Sequence, residues 1–268
     1  MNQKRSKTTK KILFFDIDGT LWDFYNVIPE STVQAIHRAK ANGHLVFINS
    51  GRSRAFIRSH ELLSIGFDGI VSGCGTMVEY RDETIFYHQL DNAFAADVIR
   101  QVRSFGFRPV LEGRRYLYVD EKEFENEPYG RKLRRELGDD LLGIEENWGN
   151  WEISKMSCAT RPNEHEDCIR ALEKDFLFMI HSPEVVEMTP KGFDKGSGIR
   201  RVCEYFGMDP MDTVAFGDSA NDMTMLETAG TAVVMGNGSE EAKSAADLVT
   251  HDLHDDGIFY ACRKLNLI

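Results

Sequence analysis

Nowhere in the 268 residues does an apolar run approach the ~20 residues that a membrane-spanning helix needs. A helical membrane protein is therefore excluded. Cysteine is scarce and scattered: Cys74, Cys158, Cys168, Cys203 and Cys262 form no Cys-x-x-Cys pair. Neither a zinc site nor a disulfide framework is expected, and reduced thiols fit a cytoplasm. Positive charge is the minority, 32 Lys and Arg against 43 Asp and Glu, for a net charge of −11. General nucleic-acid binding needs a basic face and is not expected. An anionic substrate would need a local cation or a metal ion to offset repulsion. Residues 1–11 are basic, but only Ile12, Leu13, Phe14 and Phe15 follow before Asp16. That is too short for the apolar core of a secretory signal, so the segment reads as a solvated tail and the expected location is cytoplasmic.

Several familiar signatures are also missing. Gly73 and Gly75 lack the third glycine of a dinucleotide fingerprint, and Gly196-Ser197-Gly198 lacks the Gly-Lys-Ser/Thr of a phosphate loop. His60-Glu61 and His165-Glu166 each lack the second histidine of a zinc helix. Asn237-Gly238-Ser239 matches a glycosylation sequon, but without a secretion signal it reads as a turn.

What is present begins at residues 12–20. Four apolar residues run into Asp16-Ile17-Asp18-Gly19-Thr20. A short unbroken apolar run predicts a buried parallel strand, with the carboxylates at its C-terminal end. In open α/β sheets that edge is where ligands bind. Residues two apart in extended chain point the same way, so Asp16 and Asp18 could converge, and Gly19 permits a sharp turn.

Further along, Ser31 and Gln34 have capping-box spacing for a helix ending near Gly43. Strands are expected over 45–48 and 69–72, with a helix over 53–63 between them. This alternation predicts a parallel α/β unit. The pattern changes beyond residue 80. A strand at 85–87, a helix over 93–105, a hairpin turning at Glu112-Gly113-Arg114-Arg115, an alternating stretch over 151–160, a helix over 164–176 and an apolar run at 177–180 predict an α+β insert. Residues 122–150 are highly charged and give no periodic signal. From 189 the α/β alternation resumes. Asp194 can cap a helix running to Phe206 and ended by Gly207, strands are expected at 213–216, 231–235 and 248–250, and a last helix over 257–265. The expected architecture is α/β, a Rossmann-like three-layer core with a parallel sheet, formed by residues 1–82 and 187–268. It is interrupted by an α+β cap at 83–186.

Four loops carry complementary polar groups: Asp16 and Asp18; Ser50 with the backbone N–H of Gly51; Lys195; and Asp218 and Asp222 with Asn221 between them. Clustered carboxylates repel unless a cation sits among them, and hard oxygen ligands suit Mg²⁺. A cation, a lysine, a hydroxyl and backbone N–H groups are what a transferring phosphoryl group needs. One carboxylate could attack phosphorus, and a second, protonated, could donate to the leaving oxygen.

Taken in order, Asp16-Ile17-Asp18-Gly19-Thr20, Ser50-Gly51-Arg52, Lys195 and Gly217-Asp218-Ser219-Ala220-Asn221-Asp222 resemble the four signature motifs of the haloacid dehalogenase (HAD) superfamily. The insert between the second and third motifs is similar to the Cof-type subclass, whose cap covers a small phosphorylated metabolite. The resemblance implies a Mg²⁺-dependent phosphatase, with Asp16 as nucleophile and magnesium ligand. Asp18 would be general acid, then base, with its backbone carbonyl on the metal. Ser50, the Gly51 N–H and Asn221 would hold phosphate, Lys195 would neutralise charge, Asp218 would ligate magnesium, and Asp222 would either stand behind the metal's ligands or bind the metal through water. The chain departs from many relatives at Cys74-Gly75, where they carry Asn-Gly. A phosphosugar mutase using the same aspartyl phosphate and a non-catalytic phosphometabolite-binding protein remain alternatives. The expected state is a monomer or small homo-oligomer. Arg131, Lys132, Arg134 and Arg135 read as a solvated helix face, and Arg114 and Arg115 as hairpin-tip residues able to reach the site.

Overall fold

The computed structural model describes residues 10–125, 128–160, 166–182 and 184–268. Among these residues the strands form two sheets. The first contains β1 (Ile12–Phe15), β2 (Leu45–Asn49), β3 (Gly69–Ser72), β4 (Met77–Tyr80), β5 (Glu83–Tyr87), β12 (Thr213–Gly217), β13 (Thr231–Val234) and β14 (Leu248–Val249). The second contains β6 (Arg108–Gly113), β7 (Leu117–Tyr118), β8 (Leu141–Leu142), β9 (Ile153–Ala159), β10 (Phe176–Ser182) and β11 (Val185–Pro190).

The order of the first sheet is β14-β13-β12-β1-β2-β3-β4-β5. Its strands from β14 to β3 are parallel; β4 pairs antiparallel with β3, and β5 pairs antiparallel with β4. In β1, Leu13 and Phe15 pack into one apolar cluster with the helices Glu30–Ala41 and Gly257–Lys264. Ile12 and Phe14 pack into another, with the helices Lys195–Phe206 and Met223–Thr228. Burial on both faces is why this strand reads as a continuous apolar run rather than an alternating one. The result is three layers. The order reverses at β1, whose partners are β2 on one side and β12 on the other. Such a switch point opens a crevice at the C-terminal strand ends.

The second sheet has order β10-β11-β9-β6-β7-β8. Along β9 the side chains alternate, so Met156 and Cys158 enter an apolar cluster with the helices Asn92–Ser104 and Glu166–Leu172. Lys155 and Ser157 take the opposite face, where Lys155 pairs with Glu112 of β6 and Ser157 with Glu187 of β11. This polar face is turned toward the first sheet. The two chain segments between the sheets pack together, with the rings of His88 and Phe193 stacked 4.4 Å apart.

Several expectations are corrected. Glu83–Tyr87 joins the first sheet, and Val185–Pro190 lies wholly in the second, so the sheets divide near 88–91 and 191–194 rather than at 82/83 and 186/187. The first helix begins at Glu30 behind Pro29 with no side-chain cap. Ser31 is already inside it, and Gln34 bonds to Glu30 instead. The helix expected over 53–63 is broken into a 3₁₀ turn, Arg54–Phe56, and the short helix His60–Leu63. The helix expected over 164–176 ends at Leu172, and Phe176 already opens β10; positions 164 and 165 lie outside the described residues, as does most of the basic tail. The charged stretch that gave no sequence signal holds the helix Pro128–Leu137, which buries Leu133 and Leu137.

Candidate active site

The C-terminal ends of β1, β2 and β12 and the start of the helix Lys195–Phe206 meet at one point. Asp194 caps that helix by accepting from the Ser197 N–H at 2.6 Å, while its own N–H donates to Ser197 Oγ at 3.1 Å. The cap fixes where the helix begins, and Lys195 is its first residue. Lys195 is buried, and its Nζ donates to Asp16 Oδ1 and Asp222 Oδ1, both at 2.6 Å, and to Asn221 Oδ1 at 3.4 Å. Burial opposes the charge on Lys195, but the Asp16 and Asp222 carboxylates more than reverse this and raise its pKa.

Asp16, Asp218 and Asp222 bring carboxylate oxygens within 4.8 Å of one another. Burial pushes Asp16 well above the usual carboxylate range; Lys195 opposes the push, while Asp222, Asp218 and Asp18 add to it. Asp218 is pushed up to about 7, first by burial and then by Asp222, against a hydrogen bond from Thr20 Oγ1 at 3.1 Å. Lys195 alone thus leaves this cluster short of positive charge, and a hard dication fits the donor set. Asp222 accepts from Lys195 at one oxygen and from the backbone N–H groups of Asp218 and Ser219 at the other, 2.9 and 3.2 Å away. It is placed to orient the loop, and Asp16 and Asp218 are the better-exposed donors. Gly19 has φ +83°, and a Cβ there would lie 2.5 Å from an Asp218 carboxylate oxygen, so the turn needs glycine.

Asp18 stands apart from this cluster. Arg52 holds it in a two-pronged ion pair, Nε to Oδ2 at 2.7 Å and Nη2 to Oδ1 at 2.8 Å, and Trp22 Nε1 donates to it at 2.9 Å. Burial works to raise its pKa, but the Arg52 hydrogen bonds and charge and the Trp22 N–H outweigh that and hold the carboxyl below its ordinary value. A residue expected to serve as a proton donor is therefore a paired carboxylate in this conformation. Ser50 is buried and its Oγ accepts from the Arg52 N–H at 3.2 Å.

A cavity of about 320 Å³ joins this point to the polar face of the second sheet. Asp16, Asp18, Ser50, Gly51 and Asn221 line one end, and Glu112, Tyr129, Lys155, Ser157 and Glu187 the other. Lys155 Nζ donates across the seam to the Gly51 carbonyl at 2.9 Å and pairs with Glu187 at 2.6 Å. Cys74 Sγ donates to Glu187 at 3.0 Å, so the departure at this position lies at the junction of the two sheets. Burial, then Glu187, pushes the Cys74 thiol up to about 12, which leaves it unreactive.

Arg114 and Arg115 do not line this cavity; they line a second one with Arg54 and Arg58. Lys132, read as part of a solvated face, does line the first, with its ammonium 5.9 Å from the Phe56 ring. Sequence reasoning missed Glu112, Lys155 and Glu187. Two of them sat in stretches read as strand or hairpin, and the available signal was a charged residue at the strand positions whose alternates are apolar.

The chain matches the family of haloacid dehalogenase-like hydrolases over residues 13–262 and belongs to it. Among individual proteins it is 33% identical over 262 residues to YkrA of Bacillus subtilis (strain 168), covering 96% of this chain and 98% of that one. It is 27% identical to the 5-amino-6-(5-phospho-D-ribitylamino)uracil phosphatase YitU of the same organism, over 94% and 96% of the two chains. Among solved structures, the HAD subclass IIB sugar phosphatase BT4131 superposes with a TM-score of 0.81 at 28% identity, covering 97% of this chain and all of that one. Among the described residues no helix is long and apolar enough to cross a membrane.

Proposed function

We propose that the protein is a Mg²⁺-dependent phosphomonoesterase that hydrolyses a small phosphorylated metabolite through an aspartyl phosphate on Asp16. The observation that carries this reading is the Asp16 carboxylate at the end of the cavity, hydrogen-bonded to a buried lysine and set in an acidic cluster short of positive charge. The named activities of YitU and BT4131 support it.

In this reading Asp16 and Asp218, with the Asp18 backbone carbonyl, hold Mg²⁺, which supplies charge neutralisation when bound. An Asp16 oxygen attacks phosphorus, the P–O ester bond breaks, and Asp18 gives its proton to the leaving oxygen. Water then attacks the aspartyl phosphate, Asp18 takes its proton, and inorganic phosphate leaves with Asp16 restored. Lys195, Ser50, the Gly51 N–H and Asn221 hold the phosphoryl oxygens. Asp18 can serve as the acid only once its pair with Arg52 is loosened, so substrate arrival must disturb that pair. The second sheet with its helices acts as the cap. Its two linkers pack side by side and form the hinge.

The test is phosphate release from p-nitrophenyl phosphate and from a panel of sugar phosphates and phosphorylated cofactors, with Mg²⁺ and with chelator. Turnover that needs the metal is expected. No release from any member, or full release from rigorously metal-free protein, refutes the reading.

A further inference from the structure

The second cavity, about 520 Å³, lies on the seam between the two sheets, and none of its lining residues belongs to the Asp16 site. On one side stand Arg54 and Arg58, in and just after the 3₁₀ turn, with Glu79 of β4. On the other stand Arg114, Arg115 and Tyr116, which join β6 to β7, and Asp140, just ahead of β8. Four guanidinium groups thus share a cavity lined by only the Glu79 and Asp140 carboxylates, in a chain whose net charge is −11. A cleft lined mainly by one sign of charge concentrates ions of the other sign.

The pairing inside the cavity is partial. Arg54 gives Nε to Glu79 and Nη1 to the Ile57 carbonyl, the latter at 2.9 Å. Arg58 crosses the seam, with Nη1 donating to Asp140 at 2.6 Å and Nη2 to the Arg115 carbonyl at 3.1 Å. Arg114 turns to Glu152, 2.7 Å away and outside the lining. Arg115 is exposed, and among the described residues its guanidinium makes neither an ion pair nor a hydrogen bond. Each guanidinium carries five N–H donors, so most of those facing the cavity are unspent. We propose that this cavity binds a phosphate-type dianion, either free inorganic phosphate or the phosphoryl group of a larger molecule. The lining carries two positive charges more than negative ones, which a dianion balances. Guanidinium forks fit the oxygens of a phosphate, and a tetrahedral anion has oxygens for donors on both sides of the seam. A monocarboxylate can fill one fork only, and a cation is repelled.

The experiment is calorimetric titration of the full chain in chelator, at a pH where both probes are dianions. The probes are inorganic phosphate and methylphosphonate, whose P–C bond stands in for an ester that cannot be hydrolysed. Without metal the acidic cluster at Asp16 repels a dianion, so binding there is suppressed. One anion per chain should bind with a Kd of about 1 mM or tighter. Arg115→Gln should weaken binding by about tenfold or more, the loss of a charge-assisted hydrogen bond, and Arg115→Glu should abolish it. Arg131→Gln removes the same charge from the helix Pro128–Leu137, outside this cavity, and should leave Kd within about twofold of the wild-type value. Tighter binding of phosphate makes the free ion the ligand, and methylphosphonate bound as tightly or more so makes it the phosphoryl group of a larger molecule; both support the site. No saturable binding of either probe, a Kd unmoved by Arg115→Gln, or a Kd moved equally by Arg131→Gln overturns the proposal. The readout needs no turnover, so its failure and that of the phosphatase reading are separate.

Discussion

Removing divalent metal should make the fold sensitive to pH, with a sign set by the acidic cluster. Asp218 titrates at about 7 in the folded protein against an ordinary 3.8, and Asp16 is shifted in the same direction. A carboxyl whose folded pKa lies above its unfolded one binds its proton more tightly when folded. Stability therefore falls as pH rises between the two values, by about 1.4 kcal/mol per pH unit for each such group. For Asp218 alone the full window amounts to about 4 kcal/mol, and partial solvent exposure reduces the working figure to about 2 kcal/mol. Only the part of that window from pH 5 to about pH 7 lies within the range tested, about 1.3 kcal/mol after the same reduction, which in a chain of this size is a fall in Tm of about 3–5 °C between pH 5 and pH 8. A dication held by the same carboxylates competes with the protons, so Mg²⁺ should restore more stability at pH 8 than at pH 5. The assay is thermal unfolding across that range in chelator and in excess Mg²⁺. Mg²⁺ that stabilises equally at both pH values, or a chelated protein that grows more stable from pH 5 to pH 8, would refute the reasoning.

Asp16→Asn should cut turnover of p-nitrophenyl phosphate by about a thousandfold or more while leaving the far-UV spectrum unchanged, because an amide cannot form the acyl phosphate; near-normal turnover removes Asp16 as nucleophile. Arg52→Ala should raise the Asp18 pKa, since the guanidinium is what outweighs burial there; a carbon-detected NMR titration of the Asp18 carboxyl reads the shift, and an unmoved midpoint shows that something else holds it. Lys155→Met should cost about 3–5 kcal/mol in urea unfolding, because the Glu187 carboxylate is left buried without its cation. The double variant with Glu187→Met should recover much of that loss, and a double variant no more stable than the single one argues against the pair. Asp194→Ala should cost about 1 kcal/mol and lower kcat/KM as well, since the lost cap frees the turn that carries Lys195; stability lost with kcat/KM intact would separate the cap from the site.

The parts of the fold legible in the sequence are those with a strong local signature. The runs at β1, β2, β3 and β12 are buried on both faces, and a parallel strand in that setting has no other pattern to show. Asp194 and Gly207 mark the ends of their helix because a capping carboxylate and a left-handed terminal glycine act within a few residues. The break at residues 57–59 was not legible, since nothing in the intervening Arg58-Ser59 forbids helix. β11 was hidden because its sequence mixes Glu187 among apolar residues, a choice that makes sense only beside a cavity. At the site, Asp16, Lys195, Asp218 and Asp222 are brought together as their spacing at strand and helix ends suggests. The Asp18–Arg52 pair was not foreseen, because a long arginine side chain chooses its partner through tertiary geometry. The direction of Glu112 and Lys155 depends on strand register, and a one-residue slip would have turned both away.

The position of β1 between β2 and β12 also has a consequence for how the protein is made. Thr20 and Asp218, hydrogen-bonded in the finished protein, are 198 residues apart in the chain. At a synthesis rate of about 5–20 residues per second, the ribosome needs on the order of 10–40 s to deliver the second after the first. Throughout that interval the nascent β1 can pair with β2, but its other edge, along Ile12, Leu13, Phe14 and Phe15, has no strand to meet. An open edge on an apolar strand is a template for pairing with other chains. The insert emerges within the same interval and has its own apolar cluster. It can collapse while the first sheet still waits. A message cut short before Thr213 would therefore yield not a weakened enzyme but a chain with a finished second sheet and an open first one, a ready client for chaperones and proteases.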